Sequence, residues 1–243
     1  MNYSVIIPIY NEEDSVVLVY NSVNEVMSEL GGTYEIIFVD DGSTDSSVQK
    51  LEHILNASGR PVIVSLAERV GQSEALQAGF DNAQGDIYVT LDGDGQYEPR
   101  EIPRLLDKLA EGCDVVCGRR FQRQDPLLKK IASRVAYIIR KVTTREKVHD
   151  VGCTLRVFRK KVLEKVCLWG GLHRFFSTIM LKRGYRIAEV KVHHYPRKNG
   201  VSKYGIWDRL KQGLVDLFRV SFIDIDTLMN HERQYKIKQI LRV

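Results

Sequence analysis

The sequence predicts an α/β fold: a mostly parallel central sheet with helices on both faces, followed by C-terminal amphipathic helices. Three observations carry the prediction. Short β-branched, apolar runs alternate with segments of helical periodicity through residues 1–118. The runs are apolar throughout, as strands covered on both faces of a parallel sheet are. Three of them end in polar turns rich in acids, at the edge where open α/β sheets bind ligands.

Taken in order, Tyr3–Ile9 is the first strand, running out through Pro8-Ile-Tyr-Asn-Glu12, and helical spacing follows to about Leu30. Met1 leads straight into this strand, so the start reads as fold and not as a secretory leader. Tyr34–Val39 is the second strand and ends in Asp40-Asp-Gly-Ser-Thr-Asp45. Ser43, Thr44 or Asp45 then caps a helix to about Leu55, Asp45 being favoured. Pro61–Leu66, Ile87–Leu91 and Asp114–Gly118 are further strands, separated by helices over Ser73–Ala83 and Glu101–Ala110.

The second half is less regular. Residues 127–143 place Leu128, Ile131, Val135, Ile138 and Val142 at helical spacing among basic residues with no acid. Strand-like patches fall at Val157–Phe158 and Ala188–Val192. A loop over Tyr195–Tyr204 leads into a helix over 206–222 with Trp207, Leu210, Leu214, Leu217 or Phe218, and Phe222 on one stripe. These two amphipathic segments suit an anionic membrane surface, or else pack on the sheet or on another subunit. The basic stretch from Arg233 to Arg242 reads as a membrane-attracted tail or as a disordered or helical extension.

The 243 residues are 44% hydrophobic and 28% charged, enough for one large domain with a substantial core. No run approaches the ~20 apolar residues that cross a bilayer. The four cysteines form no CxxC pair and no His/Cys cluster, which reads as reduced, buried thiols. Charge is divided along the chain. Residues 1–118 carry 6 Lys+Arg against 21 Asp+Glu, and residues 119–243 carry 30 against 10. One part is suited to holding a cation and the other to meeting anions. No zinc-finger or RNP-like pattern accompanies the basic half, and phosphate binding explains the same charge, so nucleic acid is not expected.

Asp92-Gly-Asp-Gly-Gln96 follows the fourth strand. Asp92, Asp94 and Gln96 on one turn suit a hard cation such as Mg²⁺ or Mn²⁺ holding a diphosphate, or else form a polar turn after a buried strand. His193 and His194 flank a strand end without a ligand set and read as packing or hydrogen-bonding residues.

Several longer phrases recur in one family's order: VIIPIYNEE at 5–13, YEIIFVDDGSTDSS at 34–47, GQSEALQAGF at 71–80 and GDIYVTLDGDGQYEPREIP at 85–103. DVVCGRR at 114–120, DVGCTLRVFRK at 150–160 and RKNGVSKY at 197–204 complete the set. With them the chain resembles family 2 glycosyltransferases of the GT-A fold. Within that family it looks most like polyprenyl-phosphate glycosyltransferases, the group of dolichol-phosphate mannose synthases and bacterial undecaprenyl-phosphate sugar transferases. The resemblance implies a catalytic domain over 1–222, with a nucleotide-sugar half (1–118) and an acceptor/phosphate half (119–222), and a basic C-terminal extension over 223–243.

The resemblance also implies roles. Pro8, Tyr10, Glu12, Val39 and Asp41 would contact the nucleotide base and ribose. Asp92, Gly93 and Asp94 would sit at the ribose and diphosphate, with a metal on Asp92, Asp94 and Gln96. Arg120, Arg197 and Lys203 would meet the donor diphosphate or the acceptor phosphate. Asp150 and Arg156 would lie on the acceptor side, Arg156 being otherwise a surface strand residue.

The implied reaction moves a sugar, with inversion, from a UDP- or GDP-linked donor to dolichyl or undecaprenyl phosphate. It places the protein peripherally on the cytoplasmic membrane face, as a homo-oligomer or with a small membrane partner. A soluble family 2 enzyme acting on a glycan, and a non-catalytic nucleotide-sugar-binding protein, are the alternatives. A processive polysaccharide synthase is disfavoured because no QxxRW motif is present.

Overall fold

The structure, a computed structural model, describes residues 2–121, 141, 148–195, 220–222, 224, 226 and 230–242. The 127–143 segment (Lys141 apart), the 206–219 stripe, Arg197 and Lys203 lie outside the described residues.

The first half alternates as expected: β1 (Tyr3–Ile9), α1 (Val16–Leu30), β2 (Tyr34–Asp40), α2 (Ser47–Ser58), β3 (Val62–Leu66), α3 (Gln72–Asn82) and β4 (Ile87–Thr90). Then come α4 (Ile102–Ala110), β5 (Val115–Phe121), β6 (Arg156–Arg159), α5 (Phe176–Lys182), β7 (Ile187–His193) and β8 (Ile237–Leu241). The strands form one sheet in the order β7-β5-β6-β4-β1-β2-β3-β8. β3, β2, β1 and β4 are mutually parallel. β6 runs antiparallel between β4 and β5, and β7 is parallel to β5.

Side chains alternate across the sheet, so each strand feeds two cores. Val5, Ile7 and Phe38 pack on one face with Val16, Val19 and Val23 of α1. Ile6, Val39 and Val64 pack on the other with Ala75 and Ala78 of α3. α3 reaches the sheet closely because Gly79 has no side chain. A Cβ there would stand 2.4 Å from Ile6 Cγ2 and 3.0 Å from Val39 Cγ2. Gly79→Ala is therefore expected to destabilise the protein by about 1–3 kcal/mol through overpacking. Urea unfolding would read this as a lowered midpoint with an unchanged slope, and an unchanged midpoint would contradict it.

One expectation is corrected. The stretch from Arg233 to Arg242 is neither disordered nor helical: it contains β8, which pairs antiparallel with β3, Leu241 opposite Ile63. Arg233 donates to both carboxylate oxygens of Asp81, and Arg242 donates to Asn82 O at 2.9 Å. Its basic residues hold a strand in place. Cys117, Cys153 and Cys167 are buried and Cys113 is half-buried, in keeping with packing thiols.

Candidate active site

The order β4-β1-β2 sets the three polar strand ends side by side. The chain runs β1, β2, β3 in one direction and then crosses to β4 on the other side of β1. The reversal leaves a crevice at the carboxyl ends of β1 and β4, where doubly wound sheets bind ligands. Because β6 is antiparallel, the 150–155 loop that precedes it also opens on this edge.

The ends of β1 and β2 are laced together. Asn11 N donates to Ser43 Oγ at 2.9 Å, Thr44 N to Asn11 Oδ1 at 2.8 Å, and Glu12 N to Ser47 Oγ at 2.8 Å. Asn11 takes the left-handed conformation (φ 52°), which an Asn tolerates better than most residues. Asp45 accepts from Ser47 N at 2.9 Å just before α2, but the N-cap position itself is Ser46, which makes no side-chain cap bond. Tyr10 carries the Arg69 guanidinium over its ring at 4.1 Å. Asp41 is buried and accepts from Val70 N at 2.8 Å and Gly71 N at 3.0 Å. Burial pushes its carboxyl up, against those two N–H bonds. Val39 is wholly buried in the core, paired between Pro8 of β1 and Val64 of β3. Pro8 and Glu12 are half-buried on this platform.

The acidic turn stands against the platform. Ser15 Oγ donates to Gly93 O at 2.7 Å, and a Cβ on Gly93 would lie 2.5 Å from Ile9 Cγ2. Only glycine lets the turn come this close to β1. Asp92 Oδ1 accepts from Gln72 Nε2 at 2.7 Å. Burial pushes the Asp92 carboxyl up, opposed first by the neighbouring Thr154 hydroxyl, then by the Arg120 charge, the Gln72 bond and the Arg156 charge. Asp94 Oδ1 accepts from Gln96 N at 3.1 Å. Gln96 Nε2 donates to Tyr195 O at 3.1 Å, which fixes the amide so that its oxygen faces away from that carbonyl.

Among the described residues no three His, Cys, Asp or Glu side chains form a metal cluster. Mg²⁺ usually takes one or two carboxylates and completes its shell with water and substrate phosphates, and the Asp92–Gln96 turn offers that donor set. The residues fit such an ion.

The cationic side is built on β5 and β6. Arg120 donates from Nε to Asp150 Oδ2 at 2.8 Å and from Nη2 to Oδ1 at 2.7 Å, a planar fork on a carboxylate. Arg119 is exposed, the solvated neighbour of Arg120. Arg156 is not a surface residue: it is buried and donates to His173 O and Val151 O, each at 2.9 Å. His193 hydrogen-bonds Glu101 at 2.7 Å and His194 packs edge-on against Tyr97.

Gln72, Ser73 and Glu189 were not singled out by sequence reasoning. Gln72 stood only inside a family phrase, and each of the three acts on residues distant in the chain. Ser73 Oγ accepts from Gly171 N at 3.1 Å and His173 N at 3.2 Å, and lies 2.7 Å from His173 Nδ1. With two donors on its oxygen, the hydroxyl gives its proton to Nδ1, so His173 is neutral and protonated on Nε2.

Burial, then the charges of Arg174 and Arg156, push the His173 pKa well below its ordinary 6.5. On acidification the unfolded chain therefore takes up this proton first, and the stability present above pH 6.5 is lost progressively below it. Between pH 7 and 5.5 this one group is expected to lower the stability of the protein. Urea unfolding at the two pH values should show a smaller difference for His173→Gln than for the parent, and equal differences would contradict it.

The glycosyl transferase family 2 model matches residues 4–167. The dodecaprenyl-phosphate galacturonate synthase of Rhizobium johnstonii is 38% identical over 228 residues, covering 91% of this chain and 67% of that protein. An undecaprenyl-phosphate 4-deoxy-4-formamido-L-arabinose transferase of Klebsiella pneumoniae is 38% identical over 202 residues, 83% of this chain. The chain spans only 62% of that relative's length. Among solved structures, the glucosyl-3-phosphoglycerate synthase of Mycobacterium tuberculosis, in complex with Mn²⁺, UDP and phosphoglyceric acid, superposes with a TM-score of 0.68 at 21% identity. That match covers 92% of this chain and 79% of the other, and shows the GT-A-like fold. By its match to the family model and its identity to these relatives, the chain belongs to glycosyl transferase family 2.

Proposed function

We propose that the protein moves a sugar, with inversion, from a nucleotide-diphosphate donor, UDP- or GDP-linked, to the phosphate of a polyprenyl lipid. The observation that carries this reading is the juxtaposition on one sheet edge of the Asp92–Asp94 turn and the Arg120–Asp150 fork, at the reversal of strand order. Relatives named as polyprenyl-phosphate sugar transferases and a fold neighbour crystallised with Mn²⁺ and UDP support it.

In this reading the donor base and ribose lie on the β1–β2 platform, with Tyr10 and Glu12 in contact. Asp92 and Asp94, with the Gln96 amide oxygen at hand, would hold Mg²⁺ or Mn²⁺, which neutralises charge on the departing diphosphate. A lipid phosphate oxygen attacks the anomeric carbon as the bond to the diphosphate oxygen breaks, and the nucleoside diphosphate leaves with the electron pair. A phosphate monoester is largely dianionic at pH 7, its second pKa being about 6, so no side chain need act as base. Arg120 provides a guanidinium for phosphate. Arg197 and Lys203 are proposed to add cations. Catalysis is then alignment plus charge stabilisation.

Among the described residues no helix is long and apolar enough to cross a membrane. In this reading the protein meets its lipid acceptor at the cytoplasmic membrane face. Incubation with a panel of nucleotide sugars, Mn²⁺ or Mg²⁺ and either polyprenyl phosphate or soluble glycans tests the proposal. A sugar-phospholipid product is expected, and transfer confined to glycans would overturn it.

A further inference from the structure

Arg120 is gripped by Asp150, and Asp150 is itself gripped. Glu189, on β7 where it pairs with Cys117 of β5, turns its carboxylate toward the 148–150 loop. Its Oε1 accepts from two successive backbone N–H groups, His149 N at 2.8 Å and Asp150 N at 3.1 Å. Its Oε2 lies 2.7 Å from His149 Nδ1. The Glu189 side chain is only 15% exposed. The backbone that presents Asp150 is thus pinned by charge-assisted bonds from a third strand.

From there the chain of contacts continues. Asp150 accepts from Arg120 at its backbone N (3.1 Å), Nε (2.8 Å) and Nη2 (2.7 Å). Gly152 closes against the same guanidinium, since a Cβ there would lie 2.8 Å from Arg120 Nη2. Of the five guanidinium N–H bonds, Asp150 takes one on Nε and one on Nη2, and among the described residues the other three show no hydrogen-bond partner. Where those three point depends on the plane of the fork, and that plane depends on the loop.

We infer that Glu189 is a positioning residue for phosphate recognition, acting through the 148–150 backbone and Asp150 to set the orientation of Arg120. The inference rests on the reading that Arg120 meets a phosphate. Without Glu189 the two loop N–H groups lose their acceptor and the loop can shift. A phosphate site tolerates only about 0.5 Å of such displacement.

The test is a double-mutant cycle on the full chain, with short-chain polyprenyl phosphate as acceptor. Glu189→Ala is expected to lower kcat/KM for the acceptor by about 10- to 100-fold, as loss of a supporting partner does. Glu189→Gln keeps an oxygen for the two N–H groups and is expected to recover most of it. Arg120→Lys loses the fork but keeps the charge. In that background Glu189→Ala is expected to add less than about 3-fold, because the two act as one unit. A merely structural Glu189 would give losses that multiply, and that result overturns the inference while leaving Arg120 its role. Should Glu189→Ala not fold, the same cycle with Glu189→Asp, whose shorter arm misplaces the acceptor, decides on the same criterion. Full turnover by Arg120→Ala would overturn the phosphate reading itself, and the inference with it.

Discussion

Asp94→Ala is expected to lower sugar transfer by about 10²- to 10³-fold, the usual cost of removing one preorganised charge-stabilising group. The loss of activity should exceed what the accompanying loss of stability explains. Asp94 is half-buried, and its carboxylate accepts a local bond from Gln96 N at 3.1 Å. Losing such a bond costs about 1 kcal/mol. Asp92 keeps its Gln72 partner, so the turn stays in place. The loss should be partly reversed by excess Mn²⁺ if Asp94 acts on a metal. Near-normal turnover at low Mg²⁺ or Mn²⁺ in a folded Asp94→Ala protein would remove the metal role from the turn.

Asp150→Ala should differ by losing much stability as well as turnover. The Arg120 and Asp150 side chains are 15% and 9% exposed, so the pair is desolvated. Deleting the acid strands a guanidinium that burial already disfavours, and breaking such a pair costs about 3–5 kcal/mol. For a domain of this size about 3 kcal/mol lowers the melting temperature by roughly 6–12 °C. Asp150→Asn, which keeps an acceptor but not the charge, should fall between. A calorimetric scan of the three proteins checks the order, and an Asp150→Ala variant as stable as its parent would show the fork to be dispensable.

The contrast between those two aspartates explains what could be read from sequence. Asp92, Asp94 and Gln96 sit within five residues after an apolar strand, so their shared turn is a local property of the chain. The strands were legible for a related reason: Tyr3–Ile9 and Tyr34–Asp40 are buried on both faces and carry the apolar run that such burial demands. Partners set by topology were not legible. Gln72 reaches Asp92 across 20 residues and Glu189 reaches His149 across 40.

Arg156 shows the same limit. Its place at the start of a short antiparallel strand gives no sign that it is buried against His173 O. α5 was missed because Phe176–Lys182 is short and largely buried, with no polar face to set a period. β8 was misread because Lys236 and Lys238 resemble a solvated tail. Charged side chains are also what an edge strand carries.

That last strand has a consequence for how the chain survives its own folding. β3 is central only because β8 covers it, through pairs from Ile63 with Leu241 to Leu66 with Ile237. Until residues some 170 positions later arrive, its N–H and C=O groups form an open row beside the apolar Val62, Ile63 and Val64, a template for another chain's strand. Such a long-range pairing is also among the slower contacts to form. The hazard of edge-to-edge association therefore belongs to the interval before closure, and the Lys-bearing strand that ends it presents neighbours with a charged rim.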